Sequence, residues 1–422
     1  MNPHIPFSRL ALPPMARVQR RFPANSLPDP AREVRQQLLD LGLRDKVRPG
    51  SRIAITASGR GMGDFAEILS GIVGAVKEAG GQPFLVPAMG GHGGAVAESQ
   101  VEILRLLGVS EATVGAPVMA TMETNVLGNS RNGAAVHIDR NADEADGIIV
   151  LGAIKVDSDP SGSLASGLLK MITVGLGKQR GAQQAHSHGL WDSVRAVPEV
   201  AVPKSKILFG VAVVENAYRK PVVIEVVPAN YEAFYKADAR LLGVAKPYAP
   251  KLPFRKLDLL IVDEIGKTVS GTGMDLNVIG SGRANGGPKK GDPDISRIVA
   301  LSLTRPSLGN GLGVGLADFT TRRFMDAYDS AVSYVDLLTA MEPGSTTREG
   351  PLPLALDSDR DAVEVALYSA LPQGAPRICR IAGTDRLDEM WVSEPLLKEL
   401  EDGTEVLEPA REVSYDANGN LF

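Results

Sequence analysis

One stretch of the chain, residues 155–188, holds a lysine and two histidines that could do chemistry. Lys170 lies inside an apolar run, and His186 and His188 follow at the end of the stretch. A lysine held among apolar side chains can become nucleophilic, because burial disfavours its charged form. The alternative is a lysine on an amphipathic helix whose ammonium group reaches solvent. The pattern alone leaves both interpretations open.

Two acids precede this lysine and follow a predicted strand. The apolar run GIIVLG, residues 147–152, is typical of a buried strand, and Asp157 and Asp159 come after it. Open α/β sheets bind their ligands at the carboxyl ends of their strands. We therefore expect these acids at such an end.

A glycine-rich turn, SGRGMG, follows an earlier predicted strand, residues 52–56. Gly59 and Gly61 flank Arg60 in it, and a helix is predicted over 64–79. Backbone N–H groups of such a turn favour an anion, and an arginine can hold a phosphate or carboxylate at two points. Glycine turns without a ligand are also common, and this spacing is neither a P-loop nor a dinucleotide fingerprint.

His92 lies between two glycine pairs, after the next predicted strand, residues 83–87. Together with the turn and helix before it, this strand predicts a parallel crossover unit. A histidine in a glycine loop at the carboxyl end of a strand is a candidate acid or base. The alternative is an exposed loop histidine, but the flanking glycines favour the functional interpretation.

The other elements predict an α/β protein with an N-terminal arm and two domains. Residues 1–30 contain several prolines and no periodic pattern, which predicts an extended arm packed on the body or on another subunit, so a homo-oligomer is an open possibility. The proline-rich stretch 246–253 indicates a boundary between domains 31–250 and 251–422. Residues 392–400 predict a helix near the end of the second domain.

The composition is typical of a cytoplasmic enzyme. The 422 residues are 44% hydrophobic and 23% charged, and the net charge of −5 does not indicate a nucleic-acid or membrane partner. The single cysteine, Cys379, excludes an intrachain disulfide and any cysteine-based metal cluster. No apolar run approaches the roughly 20 residues of a membrane span, and the N-terminus lacks the features of a signal peptide.

Four stretches resemble the nickel-dependent lactate racemase family, in a divergent branch of uncharacterised relatives. They are GGHGG at 90–94, SGLLKMITVGLGKQRGAQQAH at 166–186, EIGKTVSGTGMDLNVIG at 264–280 and LGNGLGVGLADFTT at 308–321. The resemblance spans most of the chain. It implies two α/β domains with mainly parallel sheets and an active site in the cleft between them.

The resemblance also implies a cofactor, the nickel-pincer nucleotide. In the family a lysine carries this pyridinium mononucleotide covalently and a histidine ligates its nickel, and these residues fall on Lys170 and His186. Arg60 is expected to contact the phosphate of the nucleotide. The other expected contacts of the nucleotide are Gly59, Gly61, Ser166 and Gly167. In the family the cofactor supplies sulfur and carbon donors to the nickel and the histidine supplies an imidazole, a donor set that suits square-planar nickel. The family's cofactor biosynthesis enzymes are implied as partners, and protein made without them would lack the cofactor.

The implied reaction is racemisation of a small 2-hydroxy acid by hydride transfer to the cofactor ring and back. Two groups must exchange the hydroxyl proton, one for each configuration. In the family both are histidines: the first falls on His92, and the second on Asp157, because a K-P-H-T-D pattern reads K-V-D-S-D here. Lys155, Lys267 and Asn277 are the expected substrate contacts.

The aspartate at this position leaves several functions open. Near neutral pH aspartate is a weaker base than imidazole. The chain is then an epimerase of a polyol or sugar acid, or Asp157 binds a substrate hydroxyl while another group such as His188 acts as base, or the racemase reaction is lost. Two further hypotheses remain: a lyase without nickel that uses His92, Asp157 and a divalent metal, and a protein that binds a nucleotide or metal without turnover.

Overall fold

A computed structural model of the chain describes residues 10–156, 164, 166–285, 293–344 and 348–421. Asp157 and Asp159 lie outside the described residues. The chain divides into two compact units. Unit 1 comprises Met1–Phe22, Pro250–Ser333 and Thr346–Phe422, and unit 2 comprises Pro23–Ala249 and Tyr334–Ser345.

Strands are numbered in chain order. They are β1 Met15–Arg20, β2 Arg52–Ala57, β3 Gln82–Pro87, β4 Thr124–Asn129, β5 Ala135–Asp139, β6 Gly147–Ile154, β7 Ile207–Glu215, β8 Pro221–Pro228, β9 Lys256–Ile265, β10 Asp294–Leu303, β11 Phe319–Thr321, β12 Leu354–Leu356, β13 Ile378–Gly383, β14 Arg386–Ser393 and β15 Thr404–Arg411.

Helices are numbered in the same way. They are α1 Pro30–Asp40, α2 Leu43–Lys46, α3 Phe65–Glu78, α4 Ala97–Leu106, α5 Glu111–Val114, α6 Arg140–Asp143, α7 Leu168–Lys170, α8 Lys178–Ser187, α9 Leu190–Lys204, α10 Tyr231–Ala245, α11 Leu276–Ile279, α12 Gly282–Asn285, α13 Arg322–Ala327, α14 Ser330–Thr339, α15 Asp359–Ala370 and α16 Glu394–Leu397.

Unit 2 is built on a sheet in the order β3-β2-β6-β7-β8. The first four strands are parallel, and β8 pairs with β7 in the antiparallel direction. From its second residue onward β2 is buried, as expected of a parallel strand covered on both faces. The predicted unit of strand, glycine turn, helix and parallel strand is confirmed by β2, α3 and β3.

Local sequence explains where the first helices of unit 2 begin and how they pack. The Asp29 side chain accepts a hydrogen bond from the backbone N–H of Arg32, and Pro30 occupies the first turn of α1. Helix α3 packs closely on α1 at Gly71, where a Cβ atom would lie 2.4 Å from the carbonyl oxygen of Ala31. These contacts hold α3 beside the sheet, directly after the glycine turn.

Unit 1 contains a second sheet, in the order β12-β11-β10-β9-β13-β14-β1-β15. The first five strands in this order, from β12 through β11, β10 and β9 to β13, pair in parallel. The remaining pairs, β13 with β14, β14 with β1, and β1 with β15, are antiparallel. The chain is therefore an α/β protein with mainly parallel sheets, which confirms the predicted fold class.

Three features of the structure differ from the sequence-based expectation. Part of the expected arm over residues 1–30 is strand β1, which pairs with β14 and β15. The helix predicted over 392–400 is shorter than expected: β14 extends to Ser393 with Met390 and Val392 in the core, and α16 covers only Glu394–Leu397. Unit 2 is not one continuous segment, because Tyr334–Ser345 belongs to it together with Pro23–Ala249. Among the described residues, no helix is long and apolar enough to cross a membrane.

Candidate functional site

The candidate site lies at one edge of the unit 2 sheet. Because β3, β2, β6 and β7 are parallel, their carboxyl ends meet at this edge. The turn that carries Arg60 follows β2, and the loop that carries His92 follows β3. Lys155 follows β6 directly, and Glu215 is the last residue of β7.

The glycine turn and the His92 loop touch each other. A Cβ atom built on Gly59 would lie 2.7 Å from Nδ1 of His92 and 2.9 Å from Cβ of Met89, so the approach requires glycine. Gly61 adopts a left-handed backbone with φ 61°. Arg60 is half-buried, and none of the described carboxylates forms an ion pair with it. The turn that touches the His92 loop thus carries an arginine, a residue type that suits a bound anion.

Glu215 ties the glycine turn to Lys155. One carboxylate oxygen accepts a hydrogen bond from the backbone N–H of Gly63, and the other lies 3.1 Å from Nζ of Lys155. The Glu215 side chain is only 7% exposed, whereas that of Lys155 is 32% exposed. A nearly buried carboxylate therefore holds a partly exposed ammonium group at the sheet edge. Sequence analysis missed Glu215, although an acid that ends an apolar strand was a usable signal.

The segment that precedes Lys170 is fixed by the sheet and by one buried acid. Ser166 pairs with Lys155 in an isolated antiparallel bridge, and Gly167 lies against Gly152 of β6. The Asp238 carboxylate accepts hydrogen bonds from the backbone N–H groups of Leu168 and Leu169 at 3.0 and 2.9 Å. Burial raises the pKa of Asp238 to about 7, although these two hydrogen bonds oppose the rise.

Lys170 stands at a break in helical geometry. It ends α7, and Met171–Gly175 continues as a π-helical turn, a rare geometry that is frequent at functional sites. Its Nζ lies 4.9 Å from the centroid of the Trp191 ring, within range of a cation–π contact. The Lys170 side chain is half-buried, between the two alternatives that the sequence left open.

His186 lies in the last turn of α8, beside an acid from a distant part of the chain. Its side chain is 17% exposed, and its Nδ1 is 3.6 Å from Oε1 of Glu342. The same oxygen accepts a hydrogen bond from the backbone N–H of Leu190 at the start of α9. The contact with His186 is the main cause of a lowered pKa of Glu342. Glu342 belongs to the returning segment of unit 2 and could not be paired with His186 from sequence.

The start of α9 therefore joins the two residues expected to hold the cofactor. Trp191 faces Lys170, and the preceding residue, Leu190, bonds the carboxylate that faces His186. The other histidine of the stretch, His188, is exposed and forms a contact of 2.9 Å between Nδ1 and the carbonyl oxygen of Gln184.

Lys178 is a fully buried charged side chain in this region. It is fully buried together with Asp139, and their charged atoms are 3.6 Å apart. Burial lowers the pKa of Lys178 to about 8 and raises that of Asp139. Sequence analysis passed over Lys178, because its burial depends on tertiary contacts.

Two expected substrate contacts lie in unit 1. The Lys267 ammonium donates to the carbonyl oxygen of Gly271 at 2.6 Å, and the Asn277 side chain donates to Asp275 at 2.9 Å. Asn277 is exposed and Lys267 is nearly buried. Their role as substrate contacts stays a prediction.

The residues that the resemblance assigns to the cofactor are a half-buried lysine on a π-turn, a histidine with a carboxylate near Nδ1, and an arginine in a glycine turn. Metal-bound histidines commonly have a carboxylate at the second ring nitrogen, which fixes the ring orientation. In the part of the chain that the structure describes, no group of three or more His, Cys, Asp or Glu side chains could hold a metal ion.

Comparison with solved structures shows similarity to a lactate racemase. The lactate racemase apoprotein from Thermoanaerobacterium thermosaccharolyticum is 12% identical in sequence, with a TM-score of 0.49 over 88% of this chain and 99% of that chain. No protein-family model matches the sequence. No curated protein sequence matches it either.

Proposed function

We propose that this chain is an isomerase that racemises or epimerises a 2-hydroxy acid with a nickel-pincer nucleotide. The observation that carries the proposal is the junction at the start of α9, where Trp191 faces Lys170 and Glu342 faces His186. These are the two positions at which the motif of residues 166–186 resembles the lysine and histidine that hold this cofactor.

Each side chain of the site has a task in this proposal. Lys170 would hold the nucleotide covalently, His186 would ligate nickel with Glu342 orienting its ring, and Arg60 would bind the phosphate. The chemistry that the bound cofactor supplies is reversible acceptance of a hydride. His92 takes the proton of the substrate hydroxyl and returns it. The Lys155 ammonium, held by Glu215, binds the substrate carboxylate.

We expect three variants to separate cofactor attachment, nickel binding and proton transfer. In protein co-produced with the cofactor biosynthesis enzymes, the wild type should carry a mass adduct that maps to Lys170, with about one nickel per chain. Lys170→Arg should lose the adduct and the nickel. His186→Ala should keep the adduct and lose most of the nickel, and His92→Ala should keep both but lose activity.

Intact-mass spectrometry, peptide mapping and metal analysis measure these outcomes without knowledge of the substrate. Lys236→Arg, a change of the same kind on the exposed face of α10, is the matched control and should behave as the wild type. An absent adduct, under conditions that load a known family member, would refute the cofactor assignment.

The aspartate at position 157 supports an epimerase over a simple racemase as the more specific candidate. Two unequal acid–base groups suit a substrate whose two faces are already unequal. Asp157→His should then gain racemisation of simple 2-hydroxy acids, measured by chiral chromatography of lactate and its longer homologues. If the substitution alters no activity, Asp157 has no catalytic role.

A further inference from the structure

Three fully buried polar side chains lie behind the loop that carries His92. They are Gln100 in α4, Asp139 at the end of β5 and Lys178 at the start of α8. Nothing in the proposed chemistry uses them directly. Burying such groups is costly unless their hydrogen-bonding capacity is satisfied.

Gln100 donates both of its amide hydrogens to carbonyl groups of the His92 loop. Its Nε2 donates to the carbonyl oxygen of Gly90 at 3.0 Å and to that of His92 itself at 3.1 Å. Its Oε1 accepts a hydrogen bond from Nζ of Lys178 at 2.7 Å. The amide therefore cannot flip without losing all three contacts.

Lys178 anchors this amide to the sheet. Its Nζ also donates to the carbonyl oxygen of Pro87, the last residue of β3, at 2.6 Å, and Asp139 balances its charge at 3.6 Å. Lys178 adopts a left-handed backbone with φ 55°, which is unfavourable for a residue with a side chain. Lys178 therefore combines an unfavourable backbone conformation with a buried charge.

The loop combines backbone hydrogen bonds of its own with the restraint from Gln100. Backbone hydrogen bonds within the segment end at the carbonyl oxygens of Met89, Gly91 and Gly93, whereas Gln100 bonds those of Gly90 and His92. A buried apolar cluster of similar volume would fill the same space at lower cost, but it would leave the loop carbonyls unbonded.

We propose that Gln100 and Lys178 are positioning residues that fix the His92 imidazole against the glycine turn. The hydrogen bonds hold the loop on both sides of the side chain, at Gly90 and at His92. Because Lys178 begins α8, whose last turn carries His186, the same contacts tie the acid–base loop to the helix of the proposed nickel ligand. The inference rests on the proposed function for the role of His92, but the restraint itself is measurable without it.

The test compares Gln100→Leu with Gln37→Leu in the full-length protein without cofactor. Gln37 is the matched control, because its side chain also bonds backbone groups, those of Ile224 and Val226 in β8. We expect Gln100→Leu to speed amide hydrogen exchange across residues 89–95 by roughly tenfold or more, since two hydrogen bonds are lost. The ring signals of His92 in NMR spectra should shift and their pH titration should change.

Gln37→Leu should leave the exchange of residues 89–95 and the His92 titration as in the wild type. If Gln100→Leu does not fold, Lys178→Met provides the second test, and it should loosen the same segment by a smaller factor because both amide donors remain. An unchanged His92 titration in every folded variant, or an equal change in Gln37→Leu, would overturn the proposal.

Activity of the loaded enzyme separates this inference from the proposed function. If the wild type is active, Gln100→Leu should lower kcat by roughly 10–100-fold with little change in KM, as expected when a catalytic group is misplaced. If the wild type never loads cofactor but Gln100→Leu still loosens the loop, the proposed function fails and the positioning role stands. If the wild type is active and the variant matches it in kcat and exchange, the positioning role fails.

Discussion

The substitution Gly63→Ala is expected to destabilise unit 2 more than a methyl group added at any other glycine of the site. A Cβ atom there would lie 1.3 Å from the carbonyl oxygen of Arg219 and 3.3 Å from Oε1 of Glu215. The carbonyl cannot retreat easily, because Arg219 lies in a tight turn whose N–H groups bond Asn216. We expect a loss of roughly 4 kcal/mol or more in the free energy of unfolding, or no folded protein.

Urea denaturation followed by circular dichroism measures this loss. Gly74→Ala in α3 is the control, since the nearest atom to its Cβ would be 3.8 Å away. Alanine inside a helix should stabilise the protein by up to about 1 kcal/mol. A Gly63→Ala protein with the urea midpoint of the wild type would contradict the close approach of the glycine turn to the end of β7.

Asp238 is expected to make the stability of the chain depend on pH. Its pKa is about 7 in the folded chain, against 3.8 as the ordinary value. Between these values the folded state holds a proton that the unfolded state has released, so stability falls as pH rises from about 4 to about 7 and then levels off. The shift corresponds to at most about 4 kcal/mol, since one pKa unit equals about 1.4 kcal/mol.

The variant Asp238→Asn isolates this contribution, because the amide has nearly the same shape and does not titrate. The difference in unfolding free energy between wild type and variant should favour the wild type most at or below about pH 4 and shrink by several kcal/mol toward pH 8. Asp238→Ala should be less stable than either, because it leaves the N–H groups of Leu168 and Leu169 without their acceptor. A difference that does not vary with pH would show that Asp238 keeps its charge state.

Sequence patterns predicted the elements whose signals are local. The buried runs of β2, β3 and β6, the cap of α1 and the glycines that end α3 each specify an element from a few adjacent residues. Parallel pairing then followed from the crossover rule, which brought the glycine turn and the His92 loop to one sheet edge. Lys170 and His186 were singled out by their residue types and by a motif, before any geometry.

Sequence patterns could not predict contacts between distant parts of the chain. Glu342 meets His186, and Asp238 caps the segment before Lys170, across sequence separations that no local pattern encodes. The burial of Lys178 was hidden for the same reason, because a lysine among glycines and polar residues is normally exposed. Strand β1 was missed because its MARVQR sequence is short and polar, and both of its neighbours come from the other end of the chain.

The position of β1 has a consequence for how the protein is made. A chain leaves the ribosome from its N-terminus, so β1 is synthesised well before its neighbours β14 and β15. The sheet of unit 1 can be completed only after β14 and β15 have been translated. Residues 23–249 are continuous and can begin to fold earlier, but Glu342 joins them only when Tyr334–Ser345 has been made. A fragment that ends near residue 250 would therefore contain Lys170 and His186 without the carboxylate that faces the histidine.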